Sequence, residues 1–278
     1  MLHIHKLLSF FAEDVPAGDI TTLALVEDTI VSACIEARQE MTLAGVEECA
    51  WLFKHFGVAV TVEAEDGENI SAGEKILSLA GSVHAILSLE RTILNLLGRM
   101  SGIATATAAA QRLASVVNDH VKVAGTRKTA PGLRYFDKRA VRLGGGEPHR
   151  DSLSNAFLIK DTHRAIMPVA DAIRRAKEYS GYHKVECEVE TLPDAIAAAE
   201  AGADIIMFDN MTPSAVRLAI AALTARGLRD RLVLEISGGI TAETIHQWAG
   251  ADVDIISMGS LTHSVQCADV SLEIEQSP

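Results

Sequence analysis

Between Lys122 and Arg150 the sequence gathers Lys122, Arg127, Lys128, Arg134, Lys138, Arg139, Arg142 and Arg150 against only Asp137 and Glu147. Eight cations against two acids make a local charge of +6 in a chain whose net charge is −12. Arg offers a planar fork to carboxylate or phosphate and Lys a point charge, so the segment reads as a site for a small ligand bearing several negative charges. Gly125, Pro131, Gly132 and Gly144 to Gly146 interrupt it. A continuous surface helix does not tolerate that many breakers, and the cations are expected on turns facing a cleft. His149 adds a further cation when protonated, a state that Arg150 beside it discourages unless a dianion binds.

Acids and glycines follow. Glu188 and Glu190 are two apart in an apolar run, so on a strand they share a face; there they are costly unless met by cations or a metal. With Asp209 and Glu235 they suit Mg²⁺ or a developing positive charge. Lys160 ends another apolar run beside Asp161, and three roles are open to it: a strand-end side chain paired with Asp161, an imine-forming nucleophile, or a contact to an anion or leaving group. Ser237-Gly238-Gly239 and Gly259-Ser260 follow the last two apolar runs. Their exposed backbone N–H groups suit a phosphate.

The elements that must position these groups are legible. Residues 31–37, 58–64 and 75–79 read as strands, 42–56 and 85–113 as helices. From residue 121, short apolar runs at 121–124, 156–159, 184–189, 204–208, 232–236 and 253–257 alternate mostly with Ala-rich helical segments at 168–179, 193–201, 213–226 and 242–249. That is the rhythm of repeated βα units and a parallel sheet. Nearly every run ends in a functional group, which is the anatomy of an α/β barrel, whose chemistry collects at the C-terminal ends of its strands. A doubly wound sheet would concentrate it at one switch point, and neither G-x-G-x-x-G nor a P-loop string occurs.

With 278 residues, 48% apolar and 22% charged, the chain can bury a substantial core. Its acidity disfavours nucleic acid and anionic membranes as partners. The longest uncharged windows, 76–89 and 255–268, are too short to span a bilayer, and no signal peptide is expected. Cys34, Cys49, Cys187 and Cys267 form no C-x-x-C pair, so reduced thiols and a cytoplasmic location are the default.

The ordered strings carry a resemblance. They include Glu13-Asp14 with Gly18-Asp19-Ile20-Thr21-Thr22, Glu90-Arg91-Thr92, Ser101-Gly102, Thr126-Arg127-Lys128-Thr129 with Pro131-Gly132-Leu133-Arg134, and Gly144 to Gly146 with His149-Arg150. Leu158-Ile159-Lys160-Asp161, Glu188-Val189-Glu190, Asp209-Asn210-Met211, Glu235 with Ser237 to Gly239, and Gly259 to Ser264 complete the set. Together they resemble quinolinate phosphoribosyltransferase, the decarboxylating enzyme of NAD biosynthesis, across almost the whole chain. The resemblance implies an N-terminal α/β sandwich (residues 1–105) and an incomplete α/β, TIM-like barrel (106–278), with a C-terminal tail able to return to the first domain. It implies a homodimer, or a higher even-numbered oligomer, in which Arg91 reaches the partner's site. Arg127, Lys128, His149, Arg150 and Lys160 would line the pocket for the two carboxylates of quinolinate. Glu188, Glu190 and Asp209 would face the ribose and Mg²⁺ of phosphoribosyl pyrophosphate, and Ser237, Gly238, Gly239, Gly259 and Ser260 its 5-phosphate. Catalysis would fall to Lys160, Glu188, Glu190 and Asp209. Asn155 and Thr162 depart from the usual Asp and Asn of the family.

Other readings compete. A paralogue of the same fold is associated with molybdenum transport, and its members tend to lack the Lys seen at 160. Nicotinate phosphoribosyltransferase handles a mono-acid and should need fewer cations. A class I aldolase would use Lys160 as imine former, and a non-catalytic anion-binding protein would need no turnover at all.

Overall fold

The computed structural model describes residues 3–275. The first part of the chain forms α1 (Ile4–Asp14), α2 (Ile20–Leu25), β1 (Ile30–Ala37), β2 (Met41–Thr42), α3 (Val46–His55), β3 (Ala59–Val62), β4 (Asn69–Ile70), β5 (Lys75–Ser82) and α4 (Val83–Ser115). Then come β6 (Lys122–Ala124), α5 (Arg134–Leu143), β7 (Phe157–Ile159), α6 (Asp161–Arg164), α7 (Val169–Tyr179), β8 (Val185–Val189), α8 (Leu192–Glu200), β9 (Ile205–Asp209) and α9 (Pro213–Ala225). A 3-10 turn at Arg229–Arg231, β10 (Val233–Ser237), α10 (Ile245–Ala249), β11 (Ile255–Ser257), α11 (Ser260–His263) and β12 (Val270–Glu275) complete it. Among the described residues no helix is long and apolar enough to cross a membrane.

The chain divides into two compact units. One holds the residues up to Ala108, then Thr129–Gly145, then the chain from Thr262 onward; the other holds Ala109–Lys128 and Gly146–Leu261.

In the first unit an antiparallel sheet runs β12-β1-β5-β3, and β2 pairs with β4. Leu52, Phe53, Ile76, Leu77, Ile86, Leu97 and Phe136 are buried in one apolar core. Helix α3 starts at Val46, not at residue 42 as its periodicity suggested. Its first N–H groups are capped from far along the chain, Asp66 Oδ1 accepting from Gly45 N at 2.7 Å and Val46 N at 2.9 Å. An incoming carboxylate at a helix N-terminus is favoured by the orphan N–H groups and the dipole. On α4, Gly98 and Gly102 admit the C-terminal segment: a Cβ at Gly98 would lie 2.8 Å from the Ala268 carbonyl oxygen, and one at Gly102 would collide with that of Gln266.

The same unit corrects the reading of the basic segment. Residues 134–143 are a helix, α5, bracketed by the breakers and not broken by them. Lys138 is buried, and Arg139 pairs with Glu47 at 2.6 Å, Glu48 at 3.0 Å and Asp66 at 2.8 Å. Arg134, Lys138, Arg139 and Arg142 therefore belong to this helix and not to turns at a cleft. The counter-charges of Arg139 come from acids more than sixty residues away, which a local charge count does not see.

The second unit is a parallel sheet ordered β6-β11-β10-β9-β8-β7, the incomplete α/β barrel expected, with β6 and β7 at its edges. Alternate residues share a face. Cys187, Val189, Ile206, Phe208, Leu234 and Ile236 pack in one core with Ala195, Ala198, Ala199 and Ala219 of α8 and α9. Small residues let these helices sit close, and burying Phe208 alone contributes about 1.5–3 kcal/mol. Thr191 and Thr212 cap α8 and α9 by accepting from Asp194 N and Ala215 N, each with a proline in the first turn. That device starts both helices sharply after a strand. The opposite face of the sheet carries Glu186, Glu188, Asp209, Glu235, Ser237 and Ser257.

Candidate active site

Two constellations share that polar face in the barrel unit. In the first, β7 ends at Ile159 and delivers Lys160, whose backbone N–H meets His163 Nδ1 at 3.0 Å at the start of α6. Its ammonium lies 3.6 Å from Glu188 Oε2. Burial pushes the Glu188 carboxyl above its ordinary value; Lys160 opposes that shift, and the Asp209 and Asp161 carboxylates add to it. The backbone of Glu188 is braced by Arg164, which donates to its carbonyl at 3.1 Å and also pairs with Asp194. Asp209 Oδ2 accepts from Asn210 Nδ2 at 2.6 Å. Asn210 is left-handed, at φ 51°, and its N–H donates to Ser237 O at 2.9 Å. Gly238, at φ +107°, closes against it, and any Cβ there would overlap the Asn210 amide. The ends of β9 and β10 are thus fixed to each other.

The second constellation is built by an irregular segment. Glu147 forms a parallel bridge to Ala124 on the free edge of β6, with Glu147 N donating to Val123 O at 2.8 Å and Gly125 N to Glu147 O at 2.9 Å. This carries His149 and Arg150 to the C-terminal end of β6, beside Arg127. His149 holds φ 56°, a left-handed conformation rare for a residue with a side chain. Its Nε2 lies 3.4 Å from Glu186 and 3.5 Å from Glu235 Oε1, and Ser257 Oγ donates to the same Glu235 oxygen at 2.5 Å. Glu186 and Glu235 stand on strands separated by β9, about 9.5 Å apart in a flat sheet, yet ligand-capable atoms of His149, Glu186 and Glu235 all lie within 4.8 Å of one another. Their side chains converge across β9 on the imidazole.

Arg150 Nη1 donates to Ala156 O at 3.1 Å. Burial, and then the facing Arg127 guanidinium, press against its charge, while Glu186 supports it. Arg127 Nε is buried without a hydrogen-bond partner. Two guanidiniums held together with a buried donor unused are complementary to an anion. Asn155 fills its departure locally: Oδ1 accepts from Ser152 N and Oγ, each at 2.7 Å, which an Asp carboxylate would do equally.

The structure therefore brings Lys160, Glu188 and Asp209 together, and Arg127, His149 and Arg150 together. Lys128 is exposed on the turn after β6, its N–H bonded to Thr126 Oγ1. Glu190 follows the end of β8 and is exposed; the inward partner of Glu188 is Glu186, one alternation earlier. Ser237 to Gly239 and Gly259-Ser260 follow the neighbouring strands β10 and β11. Glu235 sits with His149 and Ser257, not with Glu188. Arg91 belongs to the first unit, where it is 63% exposed and lines a cavity of about 700 Å³ with Glu13, Asp14, Asn95 and Arg99. Sequence reasoning missed Glu186, which the same strand alternation could have found, and Arg164, for which no local signal exists.

Comparison with known proteins bears on both units. The family described as quinolinate phosphoribosyl transferase, N-terminal domain, matches residues 19–101, and its C-terminal domain matches residues 103–273. A probable nicotinate-nucleotide pyrophosphorylase [carboxylating] of Methanothermobacter thermautotrophicus is 46% identical over 264 residues, 94% of this chain and 95% of that protein. The human nicotinate-nucleotide pyrophosphorylase [carboxylating] is 35% identical, covering 96% of this chain and 89% of that one. The solved nicotinate-nucleotide pyrophosphorylase of Francisella tularensis superposes with a TM-score of 0.90 at 36% identity, over 98% of this chain and 95% of the other. Human nicotinic acid phosphoribosyltransferase, at 12% identity and a TM-score of 0.61, shares the fold alone.

Proposed function

This chain belongs to the quinolinate phosphoribosyl transferase family, and we propose that it transfers the phosphoribosyl group of phosphoribosyl pyrophosphate to quinolinate with loss of CO₂. The products are nicotinate mononucleotide and pyrophosphate, and the step serves NAD biosynthesis. The observation that carries this reading is the facing pair Arg127 and Arg150, with Arg127 Nε buried and unused. Such a pair matches the adjacent carboxylates of a pyridine diacid better than a mono-acid.

In this reading Arg127, Lys128, His149, Arg150 and Lys160 hold the diacid. Its ring nitrogen attacks the anomeric carbon as pyrophosphate leaves, so no protein nucleophile is needed. Lys160, paired with Glu188, acts as a cation and not as an imine former. The developing sugar cation is stabilised by Glu188 and Asp209; Glu190 stands at the rim. The backbone N–H groups of Ser237 to Gly239 and of Gly259-Ser260 suit the 5-phosphate. After transfer the carboxylate on the ring carbon beside the quaternised nitrogen leaves as CO₂, its bonding pair stays on that ring carbon, and the carbon takes up a proton from solvent.

Glu188 and Asp209 are hard oxygen donors on neighbouring strands, and the burial and repulsion that raise Glu188 are what a divalent cation relieves. The donor set fits Mg²⁺, which, when bound, neutralises the pyrophosphate.

A homodimer belongs to the same proposal. Ile20, Leu23, Leu25 and Ile30 are 61–78% exposed, more apolar surface than one short segment of a monomer usually shows, and Arg91, exposed with Glu90 3.8 Å away, can serve a partner's site. A cytoplasmic location fits four unbridged thiols.

The test mixes the protein with quinolinate, phosphoribosyl pyrophosphate and Mg²⁺ and measures CO₂ and nicotinate mononucleotide. Both should appear in equal amounts, and EDTA should abolish turnover. Absence of both products with Mg²⁺ present would sink the reading.

A further inference from the structure

The barrel interior holds two acids that the proposed reaction does not use. Glu186 and Glu235 are 2% and 1% exposed, and both turn toward Nε2 of His149. A fold gains little from burying two carboxylates side by side: each is costly to dehydrate, and well-packed apolar residues would serve stability as well. Burial, and then the facing Glu186 carboxylate, hold the Glu235 carboxyl well above its usual range, while His149 and Ser257 pull it down. The spacing would also admit a metal ion, but the guanidinium of Arg150 already draws on Glu186, and that disfavours a second cation from outside. The strained backbone of His149, at φ 56°, points the same way, because such a conformation persists only where its surroundings over-determine it.

We propose that Glu186 and Glu235 are positioning residues for the diacid: a buried carboxylate clamp that takes the Nε2 edge of His149 and fixes how the imidazole meets the ligand. Ser257 fixes Glu235 within the clamp, and the charge of Glu186 also supports that of Arg150. His149 Nε2 thus faces Glu186 from β8 and Glu235 from β10, Ser257 from β11 bonds Glu235, and Arg127 from the turn after β6 faces Arg150. Neither acid touches substrate; both act through His149. The proposal rests on the reading of this site as a quinolinate site.

The variants are Glu235→Gln, Glu186→Gln and Ser257→Ala in the full-length protein. Each Glu→Gln change should raise KM for quinolinate about tenfold or more, leave KM for phosphoribosyl pyrophosphate within about twofold, and leave the thermal midpoint unchanged or higher. Ser257→Ala should give a smaller shift in the same direction and supplies the reading if a Gln variant fails to fold. Independently of any substrate, the ring ¹⁵N resonances of His149 should move in the Gln variants. Unmoved resonances would overturn the clamp, and so would parallel rises in both KM values. Wild-type protein that makes no nicotinate mononucleotide, but whose His149 resonances respond to the variants, would instead overturn the function and keep the clamp.

Discussion

The ammonium of Lys160 stands 3.6 Å from Glu188 Oε2, across the ends of two neighbouring parallel strands. Lys160 is half exposed and Glu188 largely buried, so the pair is not a surface ion pair of small consequence. It places one mobile cation over a carboxyl that burial is already pushing toward its neutral form.

Replacing Lys160 with Met should lower kcat by about 10²–10³, the scale of losing one preorganised electrostatic group. The sign of the accompanying pH effect is fixed. In the proposed reaction Glu188 works as a carboxylate; its affinity for a proton is raised in the fold, and Lys160 is the group that opposes the rise. The acid limb of the kcat/KM profile should therefore move to higher pH in Lys160→Met. A limb that stays put would remove Lys160 from the role of counter-ion.

Arg150→Ala should weaken quinolinate binding by about 1.5–3 kcal/mol, the range of hydrogen bonds to charged groups. Nicotinate, with one carboxylate, should lose less. Calorimetric titration of both ligands decides it, and equal losses would count against a dedicated carboxylate contact.

Glu48 makes stability fall with pH. It is buried on α3, and burial raises its carboxyl to about 7; Arg139 opposes this, while Asp66 and Glu47 reinforce it. Between about pH 4.5 and 7 the folded protein keeps a proton that the unfolded chain releases, so stability is lost as pH rises through that window and levels off above it. Glu48→Gln should flatten the slope and gain roughly 1–3 kcal/mol above neutrality. Urea unfolding at acidic and alkaline pH measures it; an unchanged slope refutes it.

Gly102→Ala should destabilise the first unit by about 1–3 kcal/mol, the cost of overpacking, because the new methyl meets the carbonyl oxygen of Gln266. Gly181→Ala, where nothing lies within 4 Å, is the matched control. Similar thermal midpoints for the two variants would show that the segment at Gln266 yields freely.

The six barrel strands were legible because each is a short aliphatic run between turn residues, and the Ala-rich helices between them follow the helical period. Lys160, Asp209 and Ser237 were legible for a related reason, since they end those runs. The misreadings share one physical origin. Arg139 finds its acids at Glu47, Glu48 and Asp66, and α3 receives its cap from Asp66; partners that distant leave no mark on local patterning. Glu186 is the different case. The alternation that exposed Glu188 extended to it, but the count was carried forward to Glu190, beyond the point where β8 ends.

Strand β12 pairs with β1 along its whole length, from Val270 against Ala37 to Glu275 against Ser32. A nascent polypeptide leaving the ribosome has made β1, β5 and β3 long before it makes that partner. Until residues 270–275 emerge, β1 presents an unpaired border to other chains, the situation in which aberrant association begins. Removal of residues 270–278 by a premature stop codon should therefore yield inclusion bodies, even though the stretch carrying the barrel chemistry would have been translated in full.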